Sequence, residues 1–333
     1  SGRLGTLART RLTRQGDHAM PGSTAIEWTG ASWNPVTGCT QVSAGCDHCY
    51  AKTFAERWRG IAGHPFEQGF DLRLWPDRLP IPLRWTKPRR IFVNSMSDLF
   101  HAHIPETFIQ SVFATMAASP QHTFQVLTKR PRRMQAVVAS PEFAAGVHHE
   151  FATLEPPGIP AGCLRPPWPG WPLPNVWLGV SVESQAVAWR IDWLVRTPAV
   201  VRFLSCEPLL GPLDLGHWLP VKLDSSTPYV GTQCDETGCE RTAVYQRAGR
   251  EFASLIHECA DHDARVDWVI VGGESDPQHR PFDPDWARSI RDQCAAADVP
   301  FFFKQFGGRT PKAGGRLLDG RTWDEFPTSE VTR

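Results

Sequence analysis

Six of the nine cysteines fall into two tight groups, and cysteines so spaced are a donor set for metals or thiol chemistry. The first group lies in Trp33-Asn-Pro-Val-Thr-Gly-Cys39-Thr-Gln-Val-Ser-Ala-Gly-Cys46-Asp-His-Cys49, a C-x6-C-x2-C spacing. Three thiolates on one short loop can bind three irons of a [4Fe–4S] cluster and leave the fourth iron open to a small molecule. A structural zinc site would want four protein ligands. Only His48 stands nearby, and its neighbour Cys49 makes simultaneous ligation awkward. Redox or structural thiols are the remaining alternative.

The second group reads Cys234-x4-Cys239 and then Cys259-Ala-Asp-His262, a zinc-ligand pattern with His257 in reserve. Thr242–Tyr245 and Glu251–Ile256 flank Arg247-Ala-Gly-Arg250 and predict a hairpin between the two ligand pairs. Residues 214–266 are therefore expected to be an inserted zinc-ribbon-like module. A segment that short has too little core to order itself, and Zn2+ would supply the missing stability. The plain alternative is a flexible insertion with idle thiols.

The elements that must position these groups follow from the hydrophobic pattern. Apolar runs at 90–94, 123–127, 176–180, 200–204, 267–271 and 300–303 suit strands buried on both faces. A first strand is expected near Trp33–Gly38. Between the runs lie helical patterns at Glu106–Ala118 after Pro105, at Ser184–Arg196, and at Pro284–Ala297 with Asp283 as N-cap. About seven βα units predict an α/β fold, a partial (β/α) barrel or a doubly wound sheet. Residues 1–22 are expected to be a disordered basic extension, 23–213 the first part of the barrel, and 267–333 its last part and a tail. Eight prolines between 156 and 174 predict that 139–175 is a long surface loop or lid.

In a parallel barrel the active site gathers at the C-terminal strand ends, and the residues there are polar. They include Ser95, Ser97 and Asp98; Lys129 and Arg130; Ser181 and Glu183; Ser205, Cys206 and Glu207; Gly272, Gly273 and Glu274; Lys304 and Gln305. Cys206 is a candidate hydrogen-atom donor to a substrate radical, or else a small buried apolar side chain. Lys129 is a second catalytic candidate. The two glycines would let a backbone approach a ligand. Arg130, Arg132 and Arg133 sit on the active face and are candidates to grip substrate phosphates. Trp168 and Trp171 would stack on bases or cover the core.

The first cysteine loop resembles that of radical S-adenosylmethionine (SAM) enzymes, although the first spacing is six residues where the family usually has three. Asn94-Ser-Met-Ser-Asp-Leu-Phe100 with Pro105-Glu106, and Leu127-Thr-Lys129, are similar to the second and third strands of the spore photoproduct lyase branch. Residues 24–308 also resemble an uncharacterised phage-associated family of three-cysteine proteins, through Cys206-Glu-Pro-Leu, Val271-Gly-Gly-Glu-Ser275 and Phe303-Lys-Gln-Phe306. The radical SAM resemblance implies a TIM-like partial barrel, a [4Fe–4S] cluster on Cys39, Cys46 and Cys49, and SAM on the open iron. It implies reductive cleavage of SAM to a 5′-deoxyadenosyl radical, and a reductive electron donor as partner. Ser95, Ser97 and Asp98 would hold the SAM ammonium, Ser181 and Glu183 its carboxylate side and ribose, and His48 would lie near the adenine.

Composition narrows the field. The chain has 333 residues, 41% of them hydrophobic and 21% charged, with equal numbers of acidic and basic residues. A sizeable core is expected, and a generally basic nucleic-acid coat is excluded, though not a local patch. No apolar run approaches membrane length and no basic-then-apolar leader is present, so a cytoplasmic location is expected. The expectation is a radical SAM-type enzyme acting on an unknown substrate, with nucleic acid or a nucleotide favoured. The rivals are a non-catalytic zinc protein that binds nucleic acid, and an enzyme of this fold that uses a nucleotide without radicals.

Overall fold

The computed structural model describes residues 24, 26–154, 166–220, 230–233, 242–246, 254–256, 265–310 and 312–328. Seven parallel strands lie side by side in chain order. They are β1 (Ala31–Trp33), β2 (Arg90–Val93), β3 (Thr123–Thr128), β4 (Val176–Ser181), β5 (Val201–Cys206), β6 (Trp268–Gly272) and β7 (Phe301–Gln305). Pairing runs from Ala31 against Ile91 at one edge to Val269 against Phe301 at the other. β1 and β7 do not pair with each other, so the sheet is a curled half-barrel.

Parallel neighbours need crossover connections, and helices supply most of them. They are α1 (Tyr50–Glu56), α2 (Glu106–Ala117), α3 (Pro131–Val138), α4 (Pro141–Thr153), α5 (Arg190–Val195) and α6 (Pro284–Ala297). α2 buries Ile109, Val112, Phe113 and Met116 on one stripe. α6 starts as expected: the Asp283 side chain accepts a hydrogen bond from the Asp285 N–H.

Three expectations change. Residues 139–175 are not one loop, because α4 occupies 141–153. Eight of the nine prolines in 139–175 fall at or beyond 156. The stretch before them has a Ser140 cap, Pro141 at the first helical position, and Phe143, Val147 and Phe151 on one buried stripe. The first strand ends at Trp33, ahead of Asn34-Pro35, since Pro35 has no N–H for the ladder. Val36–Thr37 turns away and pairs antiparallel with Arg73–Leu74. Ser184–Arg196 is split into a 3-10 turn at Gln185–Val187 and the short α5.

In the insertion, Thr242–Gln246 pairs antiparallel with Ser254–Ile256, and Val230–Gln233 adds a third strand. Cys234, Cys239, His257, Cys259 and His262 lie outside the described residues.

The two faces of the sheet carry different cores. Ile91, Val93, Phe124, Val126, Leu178, Val180, Leu204, Val269, Val271, Phe301 and Phe303 belong to the core shared with the helices. The alternate positions Phe92, Trp177, Phe203, Trp268, Ile270 and Phe302 form a second core with Trp28 on the concave side. The segment after α6 and β7 returns to cover the edge of β7, where the Phe303 N–H donates to the Trp323 carbonyl. Among the described residues, no helix is long and apolar enough to cross a membrane.

Candidate functional site

A cavity of about 340 Å³ opens at the C-terminal ends of the strands. Every strand end from β2 to β7 contributes to it, through Asn94, Ser95, Thr128, Lys129, Ser181, Ser205, Glu207, Gly273, Lys304 and Gln305 among others. Ile26, Trp28, Phe92 and Leu127 give it an apolar wall. The loop between β1 and α1 closes another side with Cys39, Cys46, His48, Cys49 and Tyr50. All three thiols of the first group are free, partly buried, and line this one cavity.

The cysteine loop is fastened at several points. Arg130 donates to the Thr40 carbonyl at 2.9 Å, to Asp98 at 2.9 Å and to the Cys39 sulfur at 3.3 Å. Ser43 donates to Glu183 at 2.8 Å. Arg280 donates to the Ala44 carbonyl at 2.9 Å and pairs with Asp47 at 3.3 Å. The Tyr50 hydroxyl donates to the Ser95 carbonyl at 2.6 Å. Gly45 is needed because a Cβ there would fall 2.2 Å from the Glu183 carboxylate. Burial, and then the charge of Asp98, push the Cys39 thiol above its ordinary value against the pull of Arg130.

The expected SAM-binding residues hold the protein to itself. Asp98 accepts from Thr128 Oγ1 and the Phe100 N–H on one oxygen, and from the Lys129 N–H and Arg130 on the other. A carboxylate has about four acceptor positions, so this one has no room for an ammonium. Ser97 donates to the Val36 carbonyl, and Ser95 exchanges hydrogen bonds with Asn34. Glu183 is buried under the cysteine loop, where it takes Ser43, Arg190 at 2.8 Å and Lys129 at 3.6 Å. Ser95, Ser97, Asp98, Ser181 and His48 nevertheless all line the cavity, and of the six expected residues only Glu183 does not.

Four further placements decide between readings the sequence left open. Cys206 is fully buried in the helix-facing core, while its neighbours Ser205 and Glu207 line the cavity. Strand alternation turns adjacent side chains to opposite faces, so Cys206 does not face the mouth as a hydrogen donor would. Burial pushes its thiol well up. Arg132 stacks on Trp189 and Trp193, 5.1 and 5.6 Å from their ring centroids, and Arg133 donates to the carbonyls of His101 and Ile104. Neither lines the cavity, so of the three arginines only Arg130 reaches it. The open side of Gly273 meets the Phe306 carbonyl, where a Cβ would lie 2.0 Å away, so its close approach is to protein backbone. Trp171 packs on Phe113 and Phe143, and Trp168 on Phe151, which makes both core covers.

Two ion pairs flank the cavity that the spacing of the sequence did not reveal. Lys304 bonds Glu207 across β5 and β7. Arg280 bonds Glu274 at 2.6 Å. Burial works against the Glu274 charge, but the hydrogen bonds and charge of Arg280 outweigh it and hold the carboxyl below its usual range.

Among the described residues, no three His, Cys, Asp or Glu side chains converge as they would on a single metal ion. A single zinc draws its thiolates to about 2.3 Å from one point. An iron–sulfur cluster makes a different demand, one thiolate per iron around a cube-shaped body. The three thiols that line the cavity match that demand in number and kind for three irons.

Fold and site together define a parallel α/β half-barrel with a cysteine-lined cavity at its strand ends. Residues 23–327 match the family described as "Protein of unknown function (DUF5131)", and the chain belongs to that family. Comparison with curated proteins gives no match, and neither does comparison with solved structures.

Proposed function

We propose that this chain is a radical SAM-type iron–sulfur enzyme. The observation that carries the reading is the lining of one strand-end cavity by Cys39, Cys46 and Cys49 from a single loop. The three cysteines would hold a [4Fe–4S] cluster, which with SAM on its open iron supplies one-electron reductive cleavage chemistry. The chain's own residues do the rest. Arg130 places a positive charge and a hydrogen bond beside the Cys39 sulfur, which favours its thiolate. Asp98 holds Arg130, and Glu183 holds the cysteine loop through Ser43. Lys129, Ser181, Ser205, Glu207 and Lys304 offer donors and acceptors to a ligand's polar groups, and the wall of Trp28, Phe92 and Leu127 keeps water from the reacting centre. Localisation in the cytoplasm, a reductive electron donor and a zinc-bound insertion belong to the same proposal.

Metal and sulfide analysis of anaerobically purified protein tests it. About four irons and four sulfides per chain are expected, with 5′-deoxyadenosine released from SAM on reduction. Cys39→Ala, Cys46→Ala and Cys49→Ala should each lose most of the iron. Zinc alone after anaerobic reconstitution overturns the reading in favour of a zinc protein without catalysis, and iron unchanged in all three variants overturns it by removing these cysteines as the cluster's ligands.

A further inference from the structure

The three thiols on the cavity wall do not share the same surroundings. Arg130 donates an N–H to the Cys39 sulfur at 3.3 Å, across 91 positions of chain. No hydrogen bond reaches the Cys46 or Cys49 sulfur among the described residues. One sulfur of the set therefore meets a positive charge, and two do not.

Arg130 is held in that place from several sides. Its side chain is only 12% exposed. Beyond the sulfur, it donates to Asp98 at 2.9 Å and to the carbonyl and hydroxyl of Thr40 at 2.9 and 3.0 Å. Contacts to three residues leave the planar guanidinium fork one orientation. Asp98 is fixed in turn by Thr128 Oγ1 and by the Phe100 and Lys129 N–H groups, and Thr40 also bonds the buried His101 ring.

A hydrogen bond or a positive charge at a ligating sulfur favours the more negative, reduced state of an iron–sulfur centre. Uptake of one electron from the reductive donor adds one negative charge behind the sulfurs, so Arg130 would interact more strongly after reduction than before. Partial burial weakens the screening of that interaction. Asp98 acts in the opposite sense: its charge pushes the Cys39 thiol up, while the charge and hydrogen bond of Arg130 pull it down. Loss of the guanidinium would leave the sulfur facing Asp98 alone, which gives its removal a definite sign.

We propose that Arg130 is a positioning residue that acts through the Cys39 sulfur to raise the reduction potential of a cluster held by Cys39, Cys46 and Cys49. This rests on the function proposed above and adds to it the residue that makes the site easier to reduce. Arg132 supplies the control. It carries the same charge two positions on, but it stacks on Trp189 and Trp193 and does not line the cavity.

The test is a reductive titration of the anaerobically reconstituted full chain with titanium(III) citrate, without SAM, followed by electron paramagnetic resonance. Arg130→Gln should lower the potential by about 59 mV, a tenfold change in a one-electron equilibrium. Arg130→Lys keeps the charge without the fork and should fall between Arg130→Gln and wild type. Arg132→Gln should leave the potential where it is. Iron content is assayed in every sample. A loaded Arg130→Gln protein with the wild-type potential overturns the proposal. An equal fall in Arg132→Gln overturns it in favour of overall charge acting at a distance. Failure of both Arg130 variants to load iron overturns it in favour of a clamp that only holds the loop. Absence of a cluster in wild type overturns it together with the function it rests on, whereas a cluster whose potential ignores Arg130 leaves that function standing.

Discussion

The concave face of the sheet is two different materials, separated by a few residues along the same strands. Towards the N-terminal ends it is aromatic: Trp268 is fully buried, with the rings of Trp177, Phe203, Phe302 and Phe326 at 5.1–6.2 Å. Towards the C-terminal ends it is polar, with Ser181, Ser205, Glu207, Lys304 and Gln305 around the cavity. β5 passes from Phe203 to Ser205 in one pleat, and β7 from Phe302 to Lys304. The barrel thus separates stability from chemistry along each strand.

The largest effect should come from the aromatic half. Trp268→Ala should cost about 4 kcal/mol of unfolding free energy in urea titration, the loss expected for a fully buried Trp. A cost under about 1 kcal/mol would show that the rings fill space without supporting the sheet.

Glu183 stands at the boundary, and Glu183→Gln should cost about 3 kcal/mol because a buried arginine keeps its charge while losing its counter-charge. Hydrogen exchange should speed up at residues 43–47 more than in β4. Equal change in both would remove Glu183's assigned part in seating the loop.

Arg280→Gln acts in the polar half and should cost about 1 kcal/mol near neutral pH, discounted for its partial exposure. Its sign with pH follows from Glu274, whose carboxyl is held below the usual value. That stabilisation is full above the unfolded carboxylate range of about 4.3 and fades as pH falls through the folded value. Unfolding curves of wild type and variant should therefore converge in acid. A gap that stays constant down to pH 3 would assign the effect to packing.

The sheet was legible because its strands are buried on both faces and so read as apolar runs. α2 and α6 were legible from their caps and stripes. The Pro-rich tract misled because its prolines coloured a window that also contained α4. At the site, composition marked the strand ends as polar but not which side chains were already engaged. Asp98 and Glu183 look like ligand holders in sequence, and only their hydrogen-bond partners 30 and 140 residues away reveal fasteners. Cys206 was separable from Ser205 by alternation alone, once the strand's register was known. Arg280 carried no signal at all, since its contact with Asp47 spans 233 positions.

That last contact sets an order of events during synthesis. The loop bearing Cys39, Cys46 and Cys49 leaves the ribosome first, and the guanidinium that grips its Ala44 carbonyl is translated 236 residues later. Until then the nascent chain carries three thiols on a loop without its last clamp. A ligand held by that loop would either arrive after Arg280 has been made or be guarded until then.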